Sequence, residues 1–195
     1  DQLRRSLEGT IEAMAATLES RDPYTAGHQR RVADLAEAIA REMRLSSDII
    51  EGIHFGALIH DLGKIRVPAE LLARPTQLIK SELELIKVHP EVGYEIVKAI
   101  DFPWPVAKMI RQHHERLDGS GYPQGLKGDE IILEARILAV ADVVESMASF
   151  RPYRPGLGIE AALAEIEENR GRWYDPDAVA ARWRLFREKA YAFAL

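Results

Sequence analysis

Residues 28–43 read HQRRVADLAEAIAREM. Val32, Leu35, Ile39 and Met43 recur at intervals of three and four, the period of one face of an α-helix. His28 lies four residues before Val32 and seven before Leu35, so it shares that inward face. The same period extends outward in both directions. Upstream, Leu3, Leu7, Ile11, Met14 and Leu18 form one stripe, and Asp22-Pro23 breaks it. Downstream, a helix is expected from about Ser47 to His60, with Gly63 as its stop. The stretch RVPAELLARPTQ (66–77) reads as an irregular connector. Ser81 followed by Glu84 reads as a capping box that opens the next helix, and Pro90 starts another. Pro105 to Arg116 reads as a helix carrying the double histidine His113-His114 near its end. LDGSGYPQGLKGD (117–129) is a glycine-rich loop. Glu134–Ser149 is a long apolar helix, and two more follow at about Ile159–Asn169 and Asp177–Phe193. No window alternates with period two. The expectation is an all-α helical bundle of about seven to nine helices.

Composition narrows the function classes. The chain has 195 residues, enough for one well-buried domain. Apolar residues make up 47% and charged residues 29%, which is globular rather than disordered. A net charge of −5 disfavours a nucleic-acid polymer as partner but leaves room for a small phosphorylated ligand. The absence of cysteine removes disulfides and thiolate metal ligands. No apolar run approaches the roughly 18 residues of a membrane span, and no signal peptide is visible, so the cytoplasm is the expected location.

The polar residues on the apolar faces carry the chemistry. His60 and Asp61 end the apolar approach IHFGALIHD (53–61). His89 lies three residues after Ile86 and four after Leu85. His113 lies three after Ile110 and seven after Val106, and His114 four after Ile110. Asp142 sits in ILAVADVV (137–144), apolar on all sides. A buried carboxylate there is costly unless it is paired or binds a cation. Any one such histidine reads first as a hydrogen-bonded core residue. Five histidines and two aspartates together are hard to satisfy without metal. Imidazole and carboxylate ligands suit iron, manganese, zinc, nickel or cobalt. Seven ligands are too many for one ion and fit two, with Asp61 bridging. His54 falls on another part of its helix and reads as structural or solvated.

HDLGK (60–64) together with HHERLDGSGYP (113–123) resembles the HD-GYP branch of the HD-domain metal-dependent phosphohydrolases. RDPYTAGHQRRV (21–32), VHPEVGYEIV (88–97), ARILAVADVVESM (135–147), RPYR (151–154) and WYDPDAV (173–179) resemble further family blocks in the family's order. The resemblance implies an HD-domain helical fold and hydrolysis of cyclic di-GMP to pGpG or GMP. It implies a bridging hydroxide at two divalent ions, iron or manganese first, with no covalent enzyme intermediate. His28, His60, Asp61 and Asp142 would hold one ion, and Asp61, His89, His113 and His114 the other. Lys64 would contact the scissile phosphate, Tyr122 would shape the pocket, and Arg151 and Arg154 would grip phosphate or guanine. The plainer readings are a solvated role for the two arginines, a helix-end contact for Lys64 and a simple turn for DGSGYP. Asp118 reads as an orienting or capping residue.

This chain departs from the family pattern at three places. Some members have a glutamate, which helps hold a third metal, where this chain has Tyr24; that points to a two-metal site. Glu145-Ser146 stand where Asp-Ala is usual, and Leu117 stands where an aromatic is frequent. Residues 1–20 are expected to form a helix that ends a linker from an upstream receiver or sensor domain, or that pairs with a second copy in a homodimer. The plainer alternative is that its stripe packs on its own domain. Residues 21–195 would then be the catalytic domain. The competing functional readings are a phosphohydrolase for another cyclic dinucleotide or nucleotide, and a signalling module that binds without turnover.

Overall fold

The structure, a computed structural model, describes residues 2–21, 26–74, 76–149 and 157–193, apart from the side chains of residues 3 and 4. Among the described residues the α-helices are α1 (Gln2–Glu19), α2 (His28–Glu42), α3 (Ser47–Leu58), α4 (Ala69–Leu72), α5 (Lys80–Ile86), α6 (His89–Val97), α7 (Val106–Gln112), α8 (Leu133–Ala148), α9 (Ile159–Glu168) and α10 (Pro176–Arg187). Short 3-10 turns cover Leu62–Arg66 and Gly128–Glu130, and no strand forms among the described residues. The all-α expectation holds, with α4 a single turn inside the stretch read as irregular. No helix among the described residues is long and apolar enough to cross a membrane.

The core is built on α2, α3 and α8. Val32, Leu35 and Ile39 of α2 are fully buried, as their period requires, and they meet Ile53 of α3 and Leu138 and Val140 of α8 in one cluster. Each such side chain, taken out of water, contributes roughly 1.5–3 kcal/mol. α2 also buries a second stripe, Ala33, Ala36 and Ala40. Small side chains there widen the buried face of α2 beyond its large-residue stripe. α1 lays Ile11, Ala15 and Leu18 inward and packs on α3 and the first 3-10 turn.

Several boundaries differ from the sequence reading, each for a local reason. α5 opens at Lys80, where the Glu82 carboxylate accepts the Ile79 N–H at 3.0 Å, so the Ser81–Glu84 box does not form. α10 is capped by Asp175, whose carboxylate accepts from the Asp177 and Ala178 amides at 2.9 and 3.0 Å. It ends at Arg187, short of the expected Phe193. α3 ends at Leu58 and α7 at Gln112, in both cases before the histidines they were expected to carry.

Gly63 is therefore not a helix stop. It lies inside the 3-10 turn, where a Cβ would fall 1.8 Å from the His89 carbonyl oxygen and 2.6 Å from the Gly93 nitrogen. Only glycine lets this turn touch the start of α6, and the contact brings Asp61 to His89. Gly63→Ala is expected to lower unfolding free energy by about 1–3 kcal/mol in urea titrations, since the obstacle is backbone. Gly9→Ala, on an exposed part of α1 with nothing near its Cβ, should instead stabilise by about 0.5–1 kcal/mol. Equal midpoints for the two variants would contradict the close crossing.

Candidate metal centre

Five elements deliver the polar side chains to one point. His28 is the first residue of α2, His60 and Asp61 follow α3, and His89 is the first residue of α6. His113 and His114 follow α7, and Asp142 is in the middle of α8. Six of the seven are buried, and His114 is half-buried. His28, His60 and Asp142 place ligand atoms within 4.8 Å of one another; so do His60, Asp61 and His113, and His89, His113 and His114. Asp61 reaches both ways. Its Oδ2 is 3.6 Å from His60 Nε2 and 3.8 Å from His28 Nε2, and its Oδ1 is 3.3 Å from His89 Nε2. Asp142 Oδ1 lies 3.4 Å from His28 Nε2 and 3.7 Å from His60 Nε2.

The hydrogen bonds fix which ring nitrogens face inward. Nδ1 of His60, His89 and His113 donates to the carbonyl oxygens of Ala57, Ile86 and Ile110 at 2.7, 2.8 and 2.7 Å. A carbonyl can only accept, so each Nδ1 carries a proton, and the neutral form of each ring turns its Nε2 lone pair inward. His60 Nε2 has no hydrogen-bond partner. His89 and His113 aim their Nε2 atoms at each other across 3.3 Å. Two lone pairs at that distance repel unless an electrophile lies beside them. Divalent metal fits this donor set: outward N–H groups are held, inward lone pairs are free, and two carboxylates stand among them.

The titration behaviour agrees. Burial, with the neighbouring His60 and His89, pushes His113 down to about 3. Burial, with His113 and His89 beside it, also holds His114 well below its ordinary value. Both rings are therefore neutral and able to donate. Burial works against the charge on Asp61, but Lys64, His60 and His89 outweigh it and keep its carboxyl well below the usual range. Asp142 is likewise depressed against its burial by His28 and His60. For His28, burial acts downward, yet hydrogen bonds to Asp142 and Glu145 carry it up to about 9.

The remaining site residues fall into place unevenly. Lys64 Nζ donates to Asp61 Oδ2 at 2.5 Å, at the rim of the cluster. Tyr122 stacks on His114 with ring centroids 4.8 Å apart, and the Lys87 ammonium lies 5.6 Å from the Tyr122 ring centre. Burial pushes the Tyr122 phenol above its usual range, so it stays neutral. Asp118 accepts from the Ser120 amide at 2.9 Å and from Trp173 Nε1 at 3.0 Å and so caps the loop. His54 stands apart, 3.0 Å from Glu37. Tyr24, Arg151 and Arg154 lie outside the described residues.

Three residues have roles here that the sequence reading does not assign. Gln29 Nε2 donates to Asp61 Oδ2 at 3.3 Å; its signal was the alanine stripe of α2, which it begins. Glu145 is fully buried and hydrogen-bonds His28 Nδ1; three residues after Asp142 on an apolar helix, it shares that residue's face. Glu115 accepts from the amides of Gln124 and Leu126 at 2.7 and 3.0 Å, clamping the loop that carries Tyr122.

A family model described as HD domain matches residues 12–178. The chain belongs to the HD domain family. Within it, the motifs at 60–64 and 113–123 place the chain in the HD-GYP branch. It is 40% identical, over 90% of its length, to a cyclic di-GMP phosphodiesterase response regulator, RpfG, of Xanthomonas campestris. It is 37% identical, again over 90%, to 3′3′-cGAMP-specific phosphodiesterase 3 of Vibrio cholerae. The chain spans 47% and 38% of these two relatives, so each is more than twice the length of the matched domain. The HD domain fold recurs in the solved structure of Bd1817, an HDGYP protein from Bdellovibrio bacteriovorus. That match has a TM-score of 0.66 at 22% identity, over 80% of this chain and 50% of that one.

The Glu115 clamp yields a test confined to the loop. Hydrogen bonds to a charged acceptor contribute about 1.5–3 kcal/mol. In Glu115→Ala, amide hydrogen exchange at Gln124 and Leu126 should therefore speed up at least about tenfold while α2 and α8 stay protected. Unchanged exchange at both amides would mean the loop is held by other contacts.

Proposed function

We propose that this HD domain is the catalytic part of a metal-dependent phosphodiesterase that hydrolyses cyclic di-GMP to pGpG or GMP at a two-metal site. The observation that carries the reading is the set of inward Nε2 lone pairs of His60, His89 and His113, gathered around Asp61. The name of the Xanthomonas relative supports the substrate. The two-sided reach of Asp61 supports two ions rather than one.

Divalent ions held here would supply Lewis acidity to the phosphodiester and lower the pKa of an attacking water. The protein's own residues would do the rest. His28, His60, Asp61 and Asp142 would form one half of the ligand set, and Asp61, His89, His113 and His114 the other. Lys64, part-buried at the rim, would leave Asp61 for a non-bridging phosphoryl oxygen as negative charge grows there. The outer face of Tyr122 would bound the pocket beside the scissile bond. Arg151 and Arg154 would hold a phosphate or a guanine. The P–O3′ bond breaks as water adds, and the ribose 3′-oxygen leaves. One observation favours a second substrate: the Vibrio relative, nearly as similar, is named for 3′3′-cGAMP.

The test is turnover by anaerobically purified protein with its metal content counted. Iron- or manganese-loaded protein should cleave cyclic di-GMP faster than 3′3′-cGAMP, and chelation should abolish turnover. Asp61→Ala should lose both metal and activity. Lys64→Met should keep its metal and lose about 10²–10³-fold in turnover. Faster cleavage of 3′3′-cGAMP would reassign the substrate. Fully metallated protein that cleaves neither would leave a binding module.

A further inference from the structure

Four of the proposed ligand histidines show what holds their outer ring nitrogen, and one differs. Nδ1 of His60, His89 and His113 donates to a neutral backbone carbonyl. Nδ1 of His28 is hydrogen-bonded to the Glu145 carboxylate instead. Glu145 is itself held. Arg31 Nε donates to its Oε1 at 2.8 Å and Arg31 Nη2 approaches the same oxygen at 2.7 Å, while Ser149 Oγ donates to it at 2.6 Å. Glu145 is fully buried. Nothing in packing calls for a carboxylate on an apolar helix face, and its burial is costly unless the charge has a use.

A carboxylate behind an imidazole does two things a carbonyl does not. It fixes the ring more firmly, through a charge-assisted bond. It also pushes electron density toward the far nitrogen and makes that nitrogen a stronger donor. The half of the centre that His28 serves is further favoured by Asp142, a full negative charge. The other half offers three imidazoles, His89, His113 and His114, with no carboxylate of its own, and shares Asp61 with the first. The two halves are thus unequal in charge and in donor strength.

From this geometry we infer that Glu145, braced by Arg31, is a positioning residue that makes the His28–His60–Asp142 half the tighter of two metal sites. The inference rests on the reading of the cluster as a two-metal centre. It assigns an order of filling. The first ion enters beside His28, and the second enters the His89–His113–His114 half more weakly.

Titration of metal-free protein with Mn²⁺, followed by the electron paramagnetic resonance signal of the free ion, tests this without any turnover. Wild type should bind two ions in two resolved steps. Glu145→Gln keeps the shape and an acceptor for His28 but removes the charge. It should weaken the tight step by about 10–100-fold and leave the weak step unchanged. Glu145→Asp keeps the charge on a shorter arm and should weaken the tight step by a smaller factor. Circular dichroism of the metal-free variants should match wild type, which separates positioning from loss of fold. Should Glu145→Gln fail that control, the graded loss in Glu145→Asp carries the test. Two wild-type steps of equal affinity, or a loss confined to the weak step, would overturn the inference while leaving the metal centre intact. Wild type that binds no Mn²⁺ would overturn the metal reading itself.

Discussion

Asp61 and Asp142 are withdrawn from water at the middle of an apolar bundle, and Glu145 is buried beside them. Desolvating a carboxylate costs several kcal/mol even after the surroundings relax. The protein supplies few full charges in return. Lys64 meets Asp61, Arg31 meets Glu145, and His28, carried up to about 9, stands between Glu145 and Asp142. Among the described residues, those three cations stand against the three carboxylates one for one. His60 and His89 add to this: both favour the charge on Asp61, and His60 favours that on Asp142. An arrangement rich in electron donors and balanced by protons on His28 and the two long side chains is one a divalent cation can enter, by taking the place of a proton.

The helix ends stand beside the carbonyls that orient the site histidines. The last carbonyls of a helix have no intrahelical partner. Ala57 is one residue from the end of α3, Ile86 is the last residue of α5, and Ile110 lies in the final turn of α7. Each of these carbonyls is the acceptor that orients a site histidine three residues further on. For Ile86 the sequence guarantees the vacancy, because Pro90, four residues on, has no N–H. The same geometry explains Gly63. Its turn must press on the first carbonyl of α6 for Asp61 to face His89.

Much of this was legible in the sequence. Spacing of apolar residues placed the main helices and put His28, His89, His113 and Asp142 on inward faces. Periodicity could not say where a helix yields to a side-chain requirement, so the ends at Leu58 and Gln112 were misplaced. It also ranks residues by their apolar neighbours, which hides polar residues that are buried by virtue of small ones. Gln29 heads a stripe of alanines and was passed over for that reason. Glu145 was noticed only as a departure from a family pattern, although its spacing from Asp142 was the same argument that had singled out His28. Glu115 had no periodic signal at all, since its partners are loop amides.

On the proposed reading, the ligand set would not choose between cyclic dinucleotides. It would meet the phosphodiester, the part such molecules share, and relatives of similar identity carry names with different substrates. Discrimination among bases would then fall to groups that extend past the proposed ligands. Among the described residues, the loop that runs from Leu117 to Asp129 is so placed. Glu115 pins it from below, and Gly121 lets it fold back, since a Cβ there would fall 2.4–2.5 Å from the backbone of residues 114–116. The result is that Tyr122 stacks on His114, with the Lys87 ammonium over its ring. On the proposed reading, an aromatic face backed by His114 would couple the two tasks. A base stacked on Tyr122 would press on the ring proposed to hold the metal, so the fit of the base and the placement of the scissile phosphate would be set by one contact.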